Sequence, residues 1–437
     1  MIHRIQNLEE LATGNAKRLD ALAIAEAGYA AINTGEALRR KMWVETDGIH
    51  IGGKIYPTAE RQVYFVGIGK CAFDAAEAIE DIFGDLLIAG IAFGVGSQEK
   101  SQLNKIQPYS GTHPLPSEAN VVATRHVMEF LSDRTENDLV IMLISGGGST
   151  LLCSPSGVMT CLDESTLFSE LTARGATIQD INTVRKHTSL ARGGALAEAA
   201  YPAEVLALIA SDVPGNDIPS IASGPTVLDS STIADAEIIL AKYSVAAAGI
   251  TLIETPKDAR YFERVTNTLF ITSQDALLAM QEEATRRGYQ ATIVADCFTG
   301  EAREVGRSVV EKLHTVNTGS ALLYAGESTV MINGDGKGSS TPLGAGGRNQ
   351  EMSLAALSDI REGELLLPFA SDGRDNTDHA GAIADSTTLA HAHEQNLAPE
   401  DYLATHRSYD FFTTTRDALL TGYTGSNVSD LIIALKK

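Results

Sequence analysis

Glycine turns that meet basic side chains mark where this acidic chain could hold an anion. Among its 437 residues, 34 Lys plus Arg face 56 Asp plus Glu, for a net charge of −22. Gly67-Ile68-Gly69-Lys70-Cys71-Ala72 has GxGxxA spacing between an apolar run and an amphipathic one. Such glycines let backbone approach a phosphate at a helix N-terminus, and Lys70 adds a point charge. The dinucleotide reading of this fingerprint also needs an acid ending the second strand, and Leu86 to Ser97 offers none. From spacing alone, a solvated lysine in a tight turn explains Lys70 equally well. Ser145-Gly146-Gly147-Gly148-Ser149-Thr150 is more specific, because its glycines follow a buried hydrophobic run directly and could converge N–H groups on an anion between flanking hydroxyls.

Four further clusters could carry chemistry. Asn182-Thr183-Val184-Arg185-Lys186-His187 concentrates basic groups before the Arg192-Gly193-Gly194 turn, a second candidate anion site. Ser211-Asp212-Val213 places a carboxylate at a strand end, readable as a helix cap, a magnesium ligand or a general base, and Ser223-Gly224 lies in a small-residue loop just after it. Gly344-Ala345-Gly346-Gly347-Arg348-Asn349 sets a guanidinium, a planar fork for carboxylate or phosphate oxygens, where a glycine loop running from Gly334 to Gly347 opens a helix. The dense Ser371-to-Asp378 stretch reads either as a cation site or as a turn rich in Asx residues. GxSxG and HExxH motifs are absent.

The elements that must position these residues alternate. Apolar strands at 62–68, 86–93, 138–144 and 205–210 alternate with helices at 72–83 and 121–131, which predicts a mostly parallel sheet covered on both faces, with ligands at the strands' carboxyl ends. A second α/β set begins with a strand at 268–271 and continues through a strand at 321–324, ending in Ala325-Gly326-Glu327, and another at 365–370. A weakly periodic stretch from Leu240 to Tyr261 sets the boundary, giving expected domains 1–250 and 251–437, with the last segment free to pack back on the first. The first forty residues read as a docking helix, and Gly48 to Pro57 as two short strands about Gly52-Gly53. That stretch nearly spells a Walker A loop, but Ile55 replaces the Ser or Thr that must ligate magnesium.

The ordered motifs GIGK, GTHPLPSEAN, ISGGGST, NTVRKH with ARGGALA, SDVPGNDIPSIASGPT, TGEAREVG, AGEST, GGRNQE, DGRDNTDHAGAI and TGSNVSDL together resemble the class II glycerate kinases, the glycerate 2-kinases with a C-terminal MOFRL domain. The resemblance spans about Gly67 to Leu431. It implies a Rossmann-like N-terminal domain, a smaller C-terminal α/β domain, an active site in the interdomain cleft, and phosphorylation of D-glycerate at its 2-hydroxyl by ATP with Mg2+. Lys70 and Arg348 fall where the family has its catalytic pair. Read from the residues themselves, Asp212 is the candidate metal ligand or catalytic base, and Gly67, Gly69, Ser145, Gly146, Gly147, Gly148, Ser149, Thr150, Arg185, Lys186, Ser223, Gly224, Glu327, Gly346, Gly347 and Asn349 are the candidate substrate- or nucleotide-binding residues. The chain departs from the family at SDGRDNTDH, usually closer to TDGxDGPTD, and at TGYTGS, usually TGPTGT.

An NAD(P)H-dependent hydroxypyruvate reductase and a non-catalytic sugar-acid-binding protein are the competing readings. The expected partners are D-glycerate and ATP, with a homo-oligomer left open. The charge of −22 argues against nucleic acid and anionic membrane. No export signal or membrane-length apolar run is visible, and four cysteines without CxxC pairing suggest neither disulfides nor zinc, so the expected compartment is a reducing cytoplasm.

Overall fold

Every residue of the run Asp138–Ile144 is buried, the pattern of a parallel strand covered on both faces. The computed structural model describes residues 4–12, 14–96, 103–246, 249–331 and 344–437; positions 334–343 of the expected glycine loop lie outside them. Six strands form the first sheet: β1 Gln62–Ile68, β2 Leu87–Val95, β3 Ile106–Gly111, β4 Asp138–Ile144, β5 Glu204–Ala210 and β6 Val265–Ile271. All neighbouring pairs are parallel. Their spatial order is β3-β2-β1-β4-β5-β6, so the chain's course across the sheet reverses between β1 and β4. Open α/β sheets bind ligands outside the carboxyl ends of the strands at such a reversal.

Helices cover this sheet for local reasons. Ala72–Phe83 buries Ala72, Ala75, Ala76, Ile79 and Phe83, a three-and-four spacing that makes one apolar face. Glu118–Ser132 starts from a capping box of Ser117 and Asn120. Proline at 108 is tolerated because β3 is an edge strand pairing only with β2. Gly52 and Gly53 both have left-handed φ between the short strands Gly48–Ile51 and Lys54–Tyr56, so this stretch is a hairpin with no helix behind it, as the sequence predicts.

A mixed sheet organises the second unit. It contains β7 Gln290–Glu301, β8 Ser320–Thr329, β9 Glu364–Ala370 and β10 Asp430–Lys436. β7 and β8 are parallel, and β10 runs antiparallel between β8 and β9.

The units differ from the domains expected at 1–250 and 251–437. One is Thr34–Ile271; the other joins Met1–Asn33 to Thr272–Lys437. The strand expected to open the second domain is β6, in register with β5 from Val205↔Val265 onward, so the boundary follows it. A local apolar run says only that a strand exists, not which sheet it joins. The last segment joins the second unit's own sheet. It is β10, central in the second sheet and buried from Asp430 to Leu435.

The first 33 residues join the second unit through contacts far away in sequence. Helix Ala16–Ile32, capped by Asn15, lies so close to helix Ser273–Arg286 that a Cβ at Gly28 would sit 3.0 Å from the Met280 side chain. Arg18, fully buried, donates to both Asp385 oxygens (2.9 and 2.7 Å), Asp417 Oδ1 (2.7 Å), Thr388 Oγ1 (3.0 Å) and the Leu11 carbonyl (3.2 Å). That occupies all five guanidinium donors, which is what makes a buried cation tolerable.

Candidate active site

The two glycine turns at the sheet's reversal are knitted together. Ser145 N donates to the Ile68 carbonyl and Lys70 N to the Gly146 carbonyl, each at 2.9 Å, while Ser145 Oγ accepts from Cys71 N at 3.3 Å. Gly69, at φ +115°, needs its lack of a side chain twice over: the backbone is left-handed, and a Cβ would lie 2.6 Å from the Ser145 carbonyl oxygen. Gly67 ends β1 one residue before its last. A Cβ at Gly146 would collide with Asp212 Oδ2, so this carboxylate, two residues beyond β5, stands directly against the glycine loop. Gly147 has φ +84°, and a Cβ there would lie 3.3 Å from His113 Cδ2 and 3.4 Å from Lys70 Cγ. Lys70, His113, Asp212 and the loop therefore share one neighbourhood. Burial lowers the His113 pKa and the Lys70 charge lowers it further, so the imidazole is neutral at neutral pH.

Gly148 to Leu151 forms a short helical turn pressed against Ala222, which a Cβ at Gly148 would approach to 2.6 Å. The small-residue loop after Asp212 thus closes the other side. Ser149 Oγ lies 2.9 Å from Ser223 Oγ, whose hydroxyl also donates to Asn182 Oδ1 at 3.3 Å, and the Gly224 carbonyl accepts from Gly194 N at 2.9 Å. Arg192 is fully buried; its Nε donates to the Ser149 carbonyl at 2.9 Å and its Nη2 to Glu164 at 2.7 Å, a buried pair that props the loop from beneath. Thr150 donates to the Pro114 carbonyl at 3.3 Å. On helix Ile178–His187 the basic residues diverge. Lys186 is bound by Asp229 at 2.6 Å, a buried carboxylate that also accepts from Ser231. Arg185 instead lines a pocket of about 390 Å³ with Ser149 and Thr150.

In the second unit Arg348 opens helix Arg348–Ala356. Its Nε donates to Asp430 Oδ2 at 2.5 Å, Nη2 to Asp430 Oδ1 at 3.3 Å and Nη1 to Glu327 Oε1 at 2.5 Å. Burial alone would lower the Arg348 pKa; Asp430 and Glu327 more than reverse this and raise it. Burial pushes the Asp430 carboxyl up to about 7 in spite of Arg348. Asp375 accepts from Asn349 N (3.1 Å) and Gln350 N (2.9 Å), capping the helix. A Cβ at Gly347 would collide with Asp375 and one at Gly346 with Ser408 Oγ, so both glycines are sterically required. Asn349 is fully buried, with Nδ2 donating to Asp375 Oδ1 at 3.3 Å. The dense acidic stretch is thus a cap plus an Asx turn, in which Asp372 Oδ1 accepts from Arg374 N at 3.0 Å. Among the described residues, the one group of three metal-capable side chains is Glu45, Asp47 and His50, where the strand Met42–Glu45 turns into Gly48–Ile51.

Sequence reasoning passed over His113, Asp375 and Asp430 as individual residues. Each sits inside a recognised motif, and only tertiary contact singles it out.

Residues 20–252 match the domain of unknown function DUF4147, and residues 320–430 match the MOFRL family. The chain is 35% identical over 388 residues to a D-glycerate 2-kinase of Thermotoga maritima, covering 86% of this chain and 90% of that one. It is 37% identical over 382 residues to an Agrobacterium vitis protein provisionally named a hydroxypyruvate reductase, covering 84% and 85%. The crystal structure of glycerate kinase from Thermotoga maritima superimposes with a TM-score of 0.81 at 31% identity, over 96% of this chain and 99% of that one.

Proposed function

The chain belongs to the glycerate 2-kinase family with a MOFRL region, and on that premise we propose that it transfers the γ-phosphoryl group of ATP to the 2-hydroxyl of D-glycerate. The new bond joins the 2-oxygen to phosphorus, ADP leaves, and the hydroxyl proton passes to a base. The observation that carries the reading is the cluster at the reversal point, where Lys70, His113 and Asp212 converge on the SGGGST loop. Phosphoryl transfer asks mainly for alignment and neutralisation of charge on the moving group.

Lys70 and Arg348 are assigned to that charge. Asp430 and Glu327 hold the Arg348 fork at a fixed angle, and Asp375 holds the helix that starts with it. Asp212 suits magnesium, which binds through one or two carboxylates together with phosphate oxygens and water. Its Oδ2 stands at the glycine loop and offers the right donor type; the ion, when bound, neutralises phosphate charge. No helix among the described residues is long and apolar enough to cross a membrane, and action in the cytoplasm is part of the proposal.

The test is ADP release on a panel of hydroxy acids with Mg-ATP. Turnover with D-glycerate is expected, as is no loss of NADH absorbance with hydroxypyruvate. The reductase reading is disfavoured by β2, which has no acidic side chain to hold a nicotinamide nucleotide's ribose.

A further inference from the structure

The pocket beside the SGGGST loop differs in character from the Lys70 end of the site. Its lining includes Pro114 and Leu115, Phe168 and Ser169 from helix Cys161–Ala173, and Ser149 with Arg185. At about 390 Å³ it falls in the range of pockets that bury a drug-sized ligand, and a three-carbon acid would leave most of it empty.

Charge is unbalanced there. Arg185 lies over the Phe168 ring, 4.4 Å from its centroid, and Nη1 reaches Asn182 Oδ1 at 3.3 Å. Its Nε is buried without a hydrogen-bond partner, and no carboxylate pairs with it among the described residues. Burial, and then the charge of Arg192, pull the Arg185 pKa down to about 10. Arg192 Nη1 is buried and unpartnered as well. Two guanidinium groups against the single carboxylate Glu164 leave a net positive charge, and leaving such donors unpaired is costly. An anion placed beside Arg185 relieves that cost.

Resting on the kinase reading above, we propose that this pocket takes the nucleoside end of ATP: the base and ribose lie between Leu115 and Phe168, and Arg185 meets the phosphate chain as it leaves toward Lys70. Size selects the nucleotide over the acid, and the mixture of apolar walls with serine and threonine hydroxyls suits a base joined to a sugar.

Two variants test it, each checked for an unchanged melting temperature, with ADP binding measured by calorimetry in the absence of glycerate. Ser169→Trp, at an exposed helix position, fills the pocket and is expected to weaken ADP roughly tenfold or more, leaving the KM for glycerate within about twofold. Arg185→Gln is expected to weaken ADP by about tenfold or more and adenosine far less, because it removes a charge-assisted bond to phosphate. A rise in the glycerate KM with ADP affinity unchanged would assign the pocket to the acid and overturn the proposal. Unchanged affinity for both ligands would overturn it too. Since calorimetry needs no turnover, loss of ADP binding in Ser169→Trp supports the pocket assignment even if glycerate proves not to be the acceptor.

Discussion

Three of the five Arg348 donors are held by Asp430 and Glu327, which fixes the fork and leaves two donors for the anion that Arg348 is proposed to meet. Arg348→Ala and Lys70→Met should each lower kcat on the order of 10²-fold or more, with smaller changes in KM, because charge-neutralising groups act chiefly in the transition state. Steady-state kinetics decide this, and near-normal kcat in either variant removes that residue from the catalytic assignment. Asp430 adds a pH signature. Its folded pKa, about 7, lies above the unfolded value, so the stability it contributes is present at low pH and lost as pH rises toward 7. Removing Arg348 takes away the charge that makes ionised Asp430 tolerable. The destabilisation caused by Arg348→Ala should therefore be larger at pH 8 than at pH 5 by about 1 kcal/mol, because a carboxyl that titrates at about 7 beside Arg348 stays protonated without it. Melting curves at the two pH values check it; equal losses would contradict the coupling. Lys70 and Arg348 were legible in the sequence because each sits in a glycine turn. Asp430, 82 residues beyond Arg348, was not, since nothing local distinguishes a buried partner from an ordinary strand-end acid.

The elements of the first unit owe their positions to turns as much as to strands. Gly69→Ala puts a Cβ against Ser145 and strains a left-handed backbone, so a loss of about 2–4 kcal/mol is expected, with a matching loss of activity. Gly288→Ala is the control. It has similar positive φ (+91°) just past helix Ser273–Arg286 but open space where the Cβ would go, so backbone strain alone should cost about 1 kcal/mol. Urea denaturation measures both; equal losses would show that the packing of the two glycine turns contributes nothing. Apolar runs between glycines announced β1, β4 and β5 because fully buried parallel strands are apolar without interruption. β3, reading Ile-Gln-Pro-Tyr-Ser-Gly, has no such run, because an edge strand is buried on fewer sides. Helix Ile178–His187 hid behind its terminal basic cluster, which suits the negative end of a helix.

At the scale of the molecule, each unit has its own sheet and core, but only Thr34–Ile271 is continuous in the chain. Expressed alone, residues 34–271 should fold cooperatively. Residues 272–437 should not until residues 1–33 are supplied, because Asp385 and Asp417 would otherwise be buried without Arg18, a loss of about 3–5 kcal/mol. Circular dichroism melts of the two pieces, with and without the N-terminal peptide, check this; an independently folded 272–437 would contradict it. The discontinuity was illegible because a helix's pattern shows which face is apolar, not which partner it meets. The glycine turns were more legible than the assembly, since those that present Lys70, Asp212 and Arg348 are local. What those turns are proposed to do is tested most directly by phosphorus NMR of the products formed from D-glycerate and Mg-ATP. ADP and 2-phosphoglycerate are expected in equal amounts, with the product accepted by enolase in the absence of any mutase. Predominant 3-phosphoglycerate, or no phosphorylated acid at all from protein shown to bind both substrates, would contradict the proposed transfer.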